Sequence, residues 1–142
     1  MTTVRDMVAG DLARVGALSG ALGYPVETSA LAERFARLRG QRGLFVGVVD
    51  GRVAGWIDVH ERVLLESPAH AELGALVVDA SVRRAGVGRA LVDRAIAWTR
   101  ERRLPTLRVR SNVVRPEAHA FYPALGFALM KTQHTYELAV PR

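Results

Sequence analysis

The sequence predicts a mixed α/β fold of the α+β type, and three observations carry that prediction. Period-two apolar alternation and helical stripes of period 3.6 both recur along the chain. Asp50-Gly51 stands between two apolar runs, a hairpin signal, so part of the sheet is antiparallel. The apolar run Leu76-Val77-Val78 leads into a long amphipathic helix and then another strand, so another part of the sheet crosses over in parallel. A plain doubly wound sheet would alternate more strictly.

The elements follow in order. Val4-Arg5 reads as a first strand. Asp11 caps a helix with Leu12, Val15, Leu18 and Leu22 on one stripe, ended by Gly23-Tyr24-Pro25. Thr28 or Ser29 caps a second helix carrying Leu31, Phe35 and Leu38, and Gly40 stops it. Leu44–Val49 and Val53–Val59 form the hairpin. Residues 61–70 are a polar loop or a strand extension that breaks at Pro68. Glu72–Val78 is the fourth strand, and Gly88–Arg102 is a helix with Leu91, Val92, Ala95 and Trp98 inward. Thr106–Arg110 is the fifth strand. Pro116 opens a helix over 117–125 that Leu125-Gly126 stops. Phe127–Met130 and Thr135–Val140 make a last antiparallel pair.

The 142 residues suit one domain, 1–142, with no repeat, low-complexity tract or linker. No segment approaches the ~20 apolar residues that span a bilayer. Met1-Thr-Thr-Val-Arg-Asp6 has no signal-like apolar run, so a cytoplasmic protein with no membrane partner is expected. The absence of cysteine excludes disulfides and a thiol nucleophile. His60, His70 and His134 lack metal-ligand spacing, and no metal site is expected. The net charge of +6 raises nucleic-acid binding. Lys131 is the only lysine among the 20 basic residues, the arginines are scattered, and no basic run carries interleaved aromatics. No nucleic-acid partner is expected.

The chemistry concentrates after the fourth strand. Arg83-Arg84-Ala85-Gly86-Val87-Gly88-Arg89 is a basic, glycine-containing turn that opens a helix. Glycine lets backbone approach a ligand, and the helix start offers unpaired N–H groups to an anion. There is no Gly-x-x-x-x-Gly-Lys-Ser/Thr, and the third glycine of the dinucleotide fingerprint is missing. What remains, Arg83-x-x-Gly86-x-Gly88 after an apolar strand, resembles the pyrophosphate loop of the GNAT N-acetyltransferases. A second block, Asn112 followed by Ala118-His119-Ala120-Phe121-Tyr122 and Gly126-Phe127, resembles the C-terminal signature of the same family. The finer pattern is similar to small bacterial members near the aminoalkylphosphonate and aminoglycoside acetyltransferases.

The resemblance implies a twisted mixed sheet of six to seven strands flanked by about four helices, with a V-shaped splay between the fourth and fifth strands. It also implies acetyl-CoA as co-substrate and a small-molecule amine as acceptor. The phosphates would lie on residues 83–89, and the pantetheine arm would pair with the strand edge at Leu76, Val77 and Val78. Backbone N–H groups there would polarise the thioester carbonyl. Asn112 matches the family residue that contacts the cofactor, and Tyr122 matches the general acid that protonates the leaving thiolate.

An ammonium with a pKa near ~10.4 must lose a proton before attack. Glu72 begins the fourth strand, and strict alternation would put it on the face of Leu76 and Val78, making it the candidate base. Asp58, Glu61 and Glu66 are lesser candidates. The acids of the 60–70 loop, Glu61 and Glu66, favour a cationic acceptor. Direct transfer in a ternary complex is expected, with a homodimer in keeping with the family. The other readings are a protein or peptide N-terminal acetyltransferase, a non-catalytic acyl-CoA-binding domain and a nucleic-acid-binding domain.

Overall fold

A computed structural model describes residues 1–110 and 116–142, and the side chains of all of these except 83, 84 and 116–118. The chain groups into two compact units, Met1–Arg110 and Ser111–Arg142.

The first unit is a five-stranded sheet in the order β1-β2-β3-β4-β5, built from Thr2–Asp6, Gly43–Val49, Arg52–Arg62, His70–Val78 and Leu107–Val109. The first three pairings are antiparallel and the last is parallel. The β2–β3 turn is the one the sequence predicts. Asp50 (φ 51°) and Gly51 (φ 75°) both lie in the left-handed region that twisted hairpins favour.

Helices α1 (Leu12–Ala21) and α2 (Thr28–Leu38) bury Leu12, Val15, Leu18 and Phe35 with Val46, Val53 and Val77 of the sheet. The opposite face carries α3 (Val87–Glu101), the crossover between β4 and β5. Gly43, Gly47 and Gly55 let this helix lie close. A Cβ at Gly55 would stand 2.9 Å from both Val87 Cγ1 and the Val77 carbonyl, and one at Gly43 would stand 3.0 Å from Trp98. Leu91, Val92 and Ala95 are fully buried beneath α3, as their spacing predicts.

Two caps differ from expectation. Asp11 precedes α1 but makes no side-chain cap. Its carboxylate turns back to the Val8 N–H and to both terminal nitrogens of Arg5, a charge-assisted bidentate pair that outcompetes a lone cap bond. Thr28 is already helical, with Glu27 at the N-cap position and no side-chain bond there.

The second unit contains α4 (Pro116–Ala124). Phe127 N–H donates to the Tyr122 carbonyl and Gly126 N–H to that of Pro123, the Schellman pattern that closes a helix. The expected last pair, 127–130 with 135–140, is not formed. These residues carry no strand, and Tyr136 and Leu138 are exposed. A strand exists only by pairing, and among the described residues nothing pairs with this segment. Among the described residues the sheet therefore has five strands rather than six to seven.

Candidate active site

Strand β4 changes character halfway along. Ala71, Glu72 and Leu73 pair with Leu107, Arg108 and Val109 of β5, and among the described residues no pairing with β5 extends beyond Leu73. Among the described residues Gly74–Val78 continue without a partner on that side, in keeping with the opening that the resemblance implies between the fourth and fifth strands. Burial changes at the same point: residues 70–73 are buried and Gly74 is exposed.

The hydrogen-bond phase shows which groups face the open side. Asp79 N–H donates to the Ala54 carbonyl of β3, and Val78 lies opposite Gly55. Val78 is thus a non-hydrogen-bonded partner, and so is Leu76 two residues earlier. The N–H groups of Leu76 and Val78 point away from β3 into the gap, whereas that of Val77 points toward β3.

The register slips between Asp58 and Val59, which face Ala75 and Leu73, so Gly74 is the extra residue of a β-bulge. This corrects the face assigned to Glu72. Glu72 lies opposite His60, and Val77 lies opposite Trp56. Counted along β3, Trp56, Asp58 and His60 share one face. Glu72 therefore lies on that face, while Leu76 and Val78, opposite Ile57 and Gly55, lie on the α3 face. Strict alternation fails because the bulge adds one residue.

At its C-terminal end β4 enters a tight turn. The Asp79 carboxylate accepts from Ser81 N–H (2.9 Å) and Ser81 Oγ (2.8 Å), and pairs with Arg14 at 2.7 Å. The bonds from Ser81 and then Arg14 hold its pKa below the usual carboxylate value. A short helical turn over Ala80–Ala85 follows, tied to β1 by Thr2 Oγ1 on the Ala85 carbonyl. Gly86 then adopts φ 77°, and a Cβ there would meet nothing within 4 Å. The glycine serves backbone conformation and an open approach, not packing. Ala90 is the first residue of α3 to bond backward, to the Gly86 carbonyl. The N–H groups of Val87, Gly88 and Arg89 have no intrahelical acceptor. Open strand edge, turn and helix start suit an extended amide chain ending in phosphates. The side chains of Arg83 and Arg84, and the whole of Asn112, lie outside the described residues.

Glu72 stands among cations. Its carboxylate is 3.5 Å from His60 Nε2, 3.6 Å from Arg62 and 3.4 Å from Arg110. Asp58, next on this face, bonds Arg42 at 3.0 Å and lies 3.8 Å from His60 Nδ1. A Cβ at Gly74 would come within 3.2 Å of the Asp58 carboxylate. Asp58 Oδ1 and His60 Nδ1 are buried without a hydrogen-bond partner among the described residues. Sequence reasoning missed His60, Arg62 and Arg110 as neighbours of Glu72. The alternation of polar residues at 58, 60 and 62 was a signal. Reading it required the pairing across the 63–69 loop.

In the second unit Tyr122 packs edge-on against Phe121 (5.1 Å between ring centres) and Phe127 (5.6 Å). Burial raises its pKa above the usual tyrosine value, so the hydroxyl keeps its proton. Among the described residues no group of three or more histidines and carboxylates is placed to hold a metal, and no helix is long and apolar enough to cross a membrane.

The fold is similar to that of several solved proteins. A transcriptional regulator from Bacillus halodurans superposes with a TM-score of 0.85 at 21% identity, over 97% of this chain and 100% of that one. An acetyltransferase of Trypanosoma brucei gives 0.79 at 23% identity, over 97% and 100%. The aminoglycoside antibiotic 6'-N-acetyltransferase AAC(6')-Ih of Acinetobacter baumannii gives 0.84 at 16%, over 99% and 100%. No curated protein matches the sequence. At these identities the likeness establishes the fold and not the reaction. The sequence itself matches the acetyltransferase (GNAT) family over residues 17–127, which include the strand edge, the turn and Tyr122, and the chain belongs to that family.

Proposed function

We propose that this protein transfers the acetyl group of acetyl-CoA directly to the amine of a small-molecule acceptor. The observation that carries the reading is the run of β4 from Gly74 to Val78, which among the described residues has no partner on its β5 side and leads into the Gly86 turn and the start of α3. Family membership supports acetyl transfer. That the acceptor atom is nitrogen rests on the aminoglycoside N-acetyltransferases among the structural neighbours.

When bound, acetyl-CoA supplies an activated acyl thioester. The Leu76 and Val78 N–H groups bind its amide arm and polarise the carbonyl. The N–H groups of Val87, Gly88 and Arg89, with the basic side chains of the turn, hold the phosphates. Glu72 takes the proton from the acceptor ammonium, directly or through one water. Tyr122 returns a proton to the departing sulfur. With no cysteine in the chain, no acetyl-thiol enzyme forms, in keeping with direct transfer while acceptor and donor are bound together.

A thermal melt with acetyl-CoA tests the binding half. At 100 times the dissociation constant the fold should gain about 2.7 kcal/mol. Thiol release across amines, aminoglycosides and aminophosphonates tests the transfer half. No shift at saturating acetyl-CoA would remove the proposal.

A further inference from the structure

We infer that the acceptor is an amine that also carries an anionic group, a carboxylate or a phosphonate, and that Arg62 and Arg110 recognise it. The inference rests on the acetyltransferase reading and narrows its acceptor. It departs from the cationic acceptor suggested by Glu61 and Glu66. Glu61 alternates onto the other face of β3 from His60 and Arg62, and both acids are exposed.

The two carboxylates of the corner lie beneath a layer of arginine. The Glu72 and Asp58 side chains are 12% and 15% exposed, whereas Arg42, Arg62 and Arg110 are 32%, 35% and 64% exposed. Arg108 lies opposite Glu72 in the β4–β5 register. An approaching molecule thus meets three more exposed cations around two more buried acids. A polycationic acceptor is repelled there, and an anion is drawn in.

Arg62 and Arg110 are also free to bind. Their contacts with Glu72, at 3.6 and 3.4 Å, are ion pairs outside hydrogen-bond geometry, and neither side chain donates a hydrogen bond among the described residues. Arg42 is different, since it is committed to Asp58 at 3.0 Å. A guanidinium with unspent donors in a fixed fork suits a planar or tetrahedral oxyanion. Anchored there, the acceptor would hold its amine beside the Glu72 carboxylate, which both arginines already touch.

The test uses alkylamines of graded length in matched series. One series ends in a carboxylate, one in a phosphonate, one in a hydroxyl and one in a second ammonium. Thiol release should favour an anionic series over the hydroxyl series by about tenfold or more in kcat/KM, with the diamines poorest. The two anionic series separate carboxylate from phosphonate recognition. Arg62→Gln and Arg110→Gln should each shrink the anionic-to-hydroxyl ratio, mainly through KM, and Arg110→Lys should recover part of it. Calorimetric titration of the anionic and hydroxyl amines onto the protein without acetyl-CoA reads the same preference apart from turnover. No thiol release from any amine would overturn the acetyltransferase reading. Release or binding that ignores the end group, or prefers the second ammonium, would overturn this inference alone.

Discussion

At the scale of single residues, Glu72 and Tyr122 make opposite demands on the proton. Glu72→Gln keeps size and polarity but cannot accept a proton. We expect it to move the pH–rate profile to higher pH, where solvent has already deprotonated the amine, and to lower kcat at neutral pH by about 10²-fold or more. A profile unchanged from the parent would reduce Glu72 to a partner of its arginines. Tyr122→Phe preserves the ring stack with Phe121 and Phe127 and removes only the hydroxyl. Stability and acetyl-CoA affinity should stay near parental while kcat falls by about 10²-fold or somewhat less. Parental turnover would leave thiolate protonation to water. Glu72 was legible in the sequence as a candidate, but its surroundings were not. They depend on His60, Arg62 and Arg110, which converge only through strand register and a parallel crossover.

At the scale of elements, helical stripes and the hairpin turn were readable because each is decided within a few neighbouring residues. The stripe Leu91, Val92, Ala95 and Trp98 identified the buried face of α3 directly. The bulge at Gly74 was hidden, since nothing local distinguishes an extra strand residue from a regular one. The final strand pair failed for a related reason, because alternation at Thr135–Val140 states a preference and supplies no neighbour. The seating of α3 gives an element-scale prediction. Gly55→Ala places a methyl 2.9 Å from the Val77 carbonyl and 2.9 Å from Val87 Cγ1. The carbonyl is β4 backbone and cannot swing aside, so the β3–β4 pairing must give, and the Val87 side chain at the helix start must shift with it. We expect a loss of about 1–3 kcal/mol in stability together with weaker acetyl-CoA binding, since Val87 opens the helix proposed to receive the phosphates. Denaturant midpoints and calorimetric affinities measure the two effects, and an unchanged midpoint would contradict the close seating.

At the scale of the whole molecule, acid stability should depend on the clasp between β1 and α1. Hydrogen bonds from Arg5, and then from the Val8 N–H, hold the Asp11 carboxyl below its ordinary pKa despite its burial. A carboxyl lowered in the folded state stabilises the fold above its unfolded pKa of ~3.9, and the contribution disappears as pH falls through the folded value. Arg5 is half-exposed, so screening keeps the effect small. Asp11→Asn should cost about 1 kcal/mol at pH 7. The urea midpoints of variant and parent should converge as the pH falls below the folded-state value. A constant gap at every pH would mean that the cost comes from packing instead.

The extra residue at Gly74 lets one strand serve two unrelated tasks. Upstream of it, β4 delivers a carboxylate to one side of the sheet; downstream, it lends amides to the gap and apolar side chains to the other side. In the proposed mechanism donor and acceptor recognition are thereby written in separate phases of the same segment, and selection can edit either without rewriting its neighbour. A family that keeps its donor and changes its acceptor gains from that separation. Deleting the single glycine would merge the two phases and turn the downstream side chains over, exchanging oil for water along half the strand.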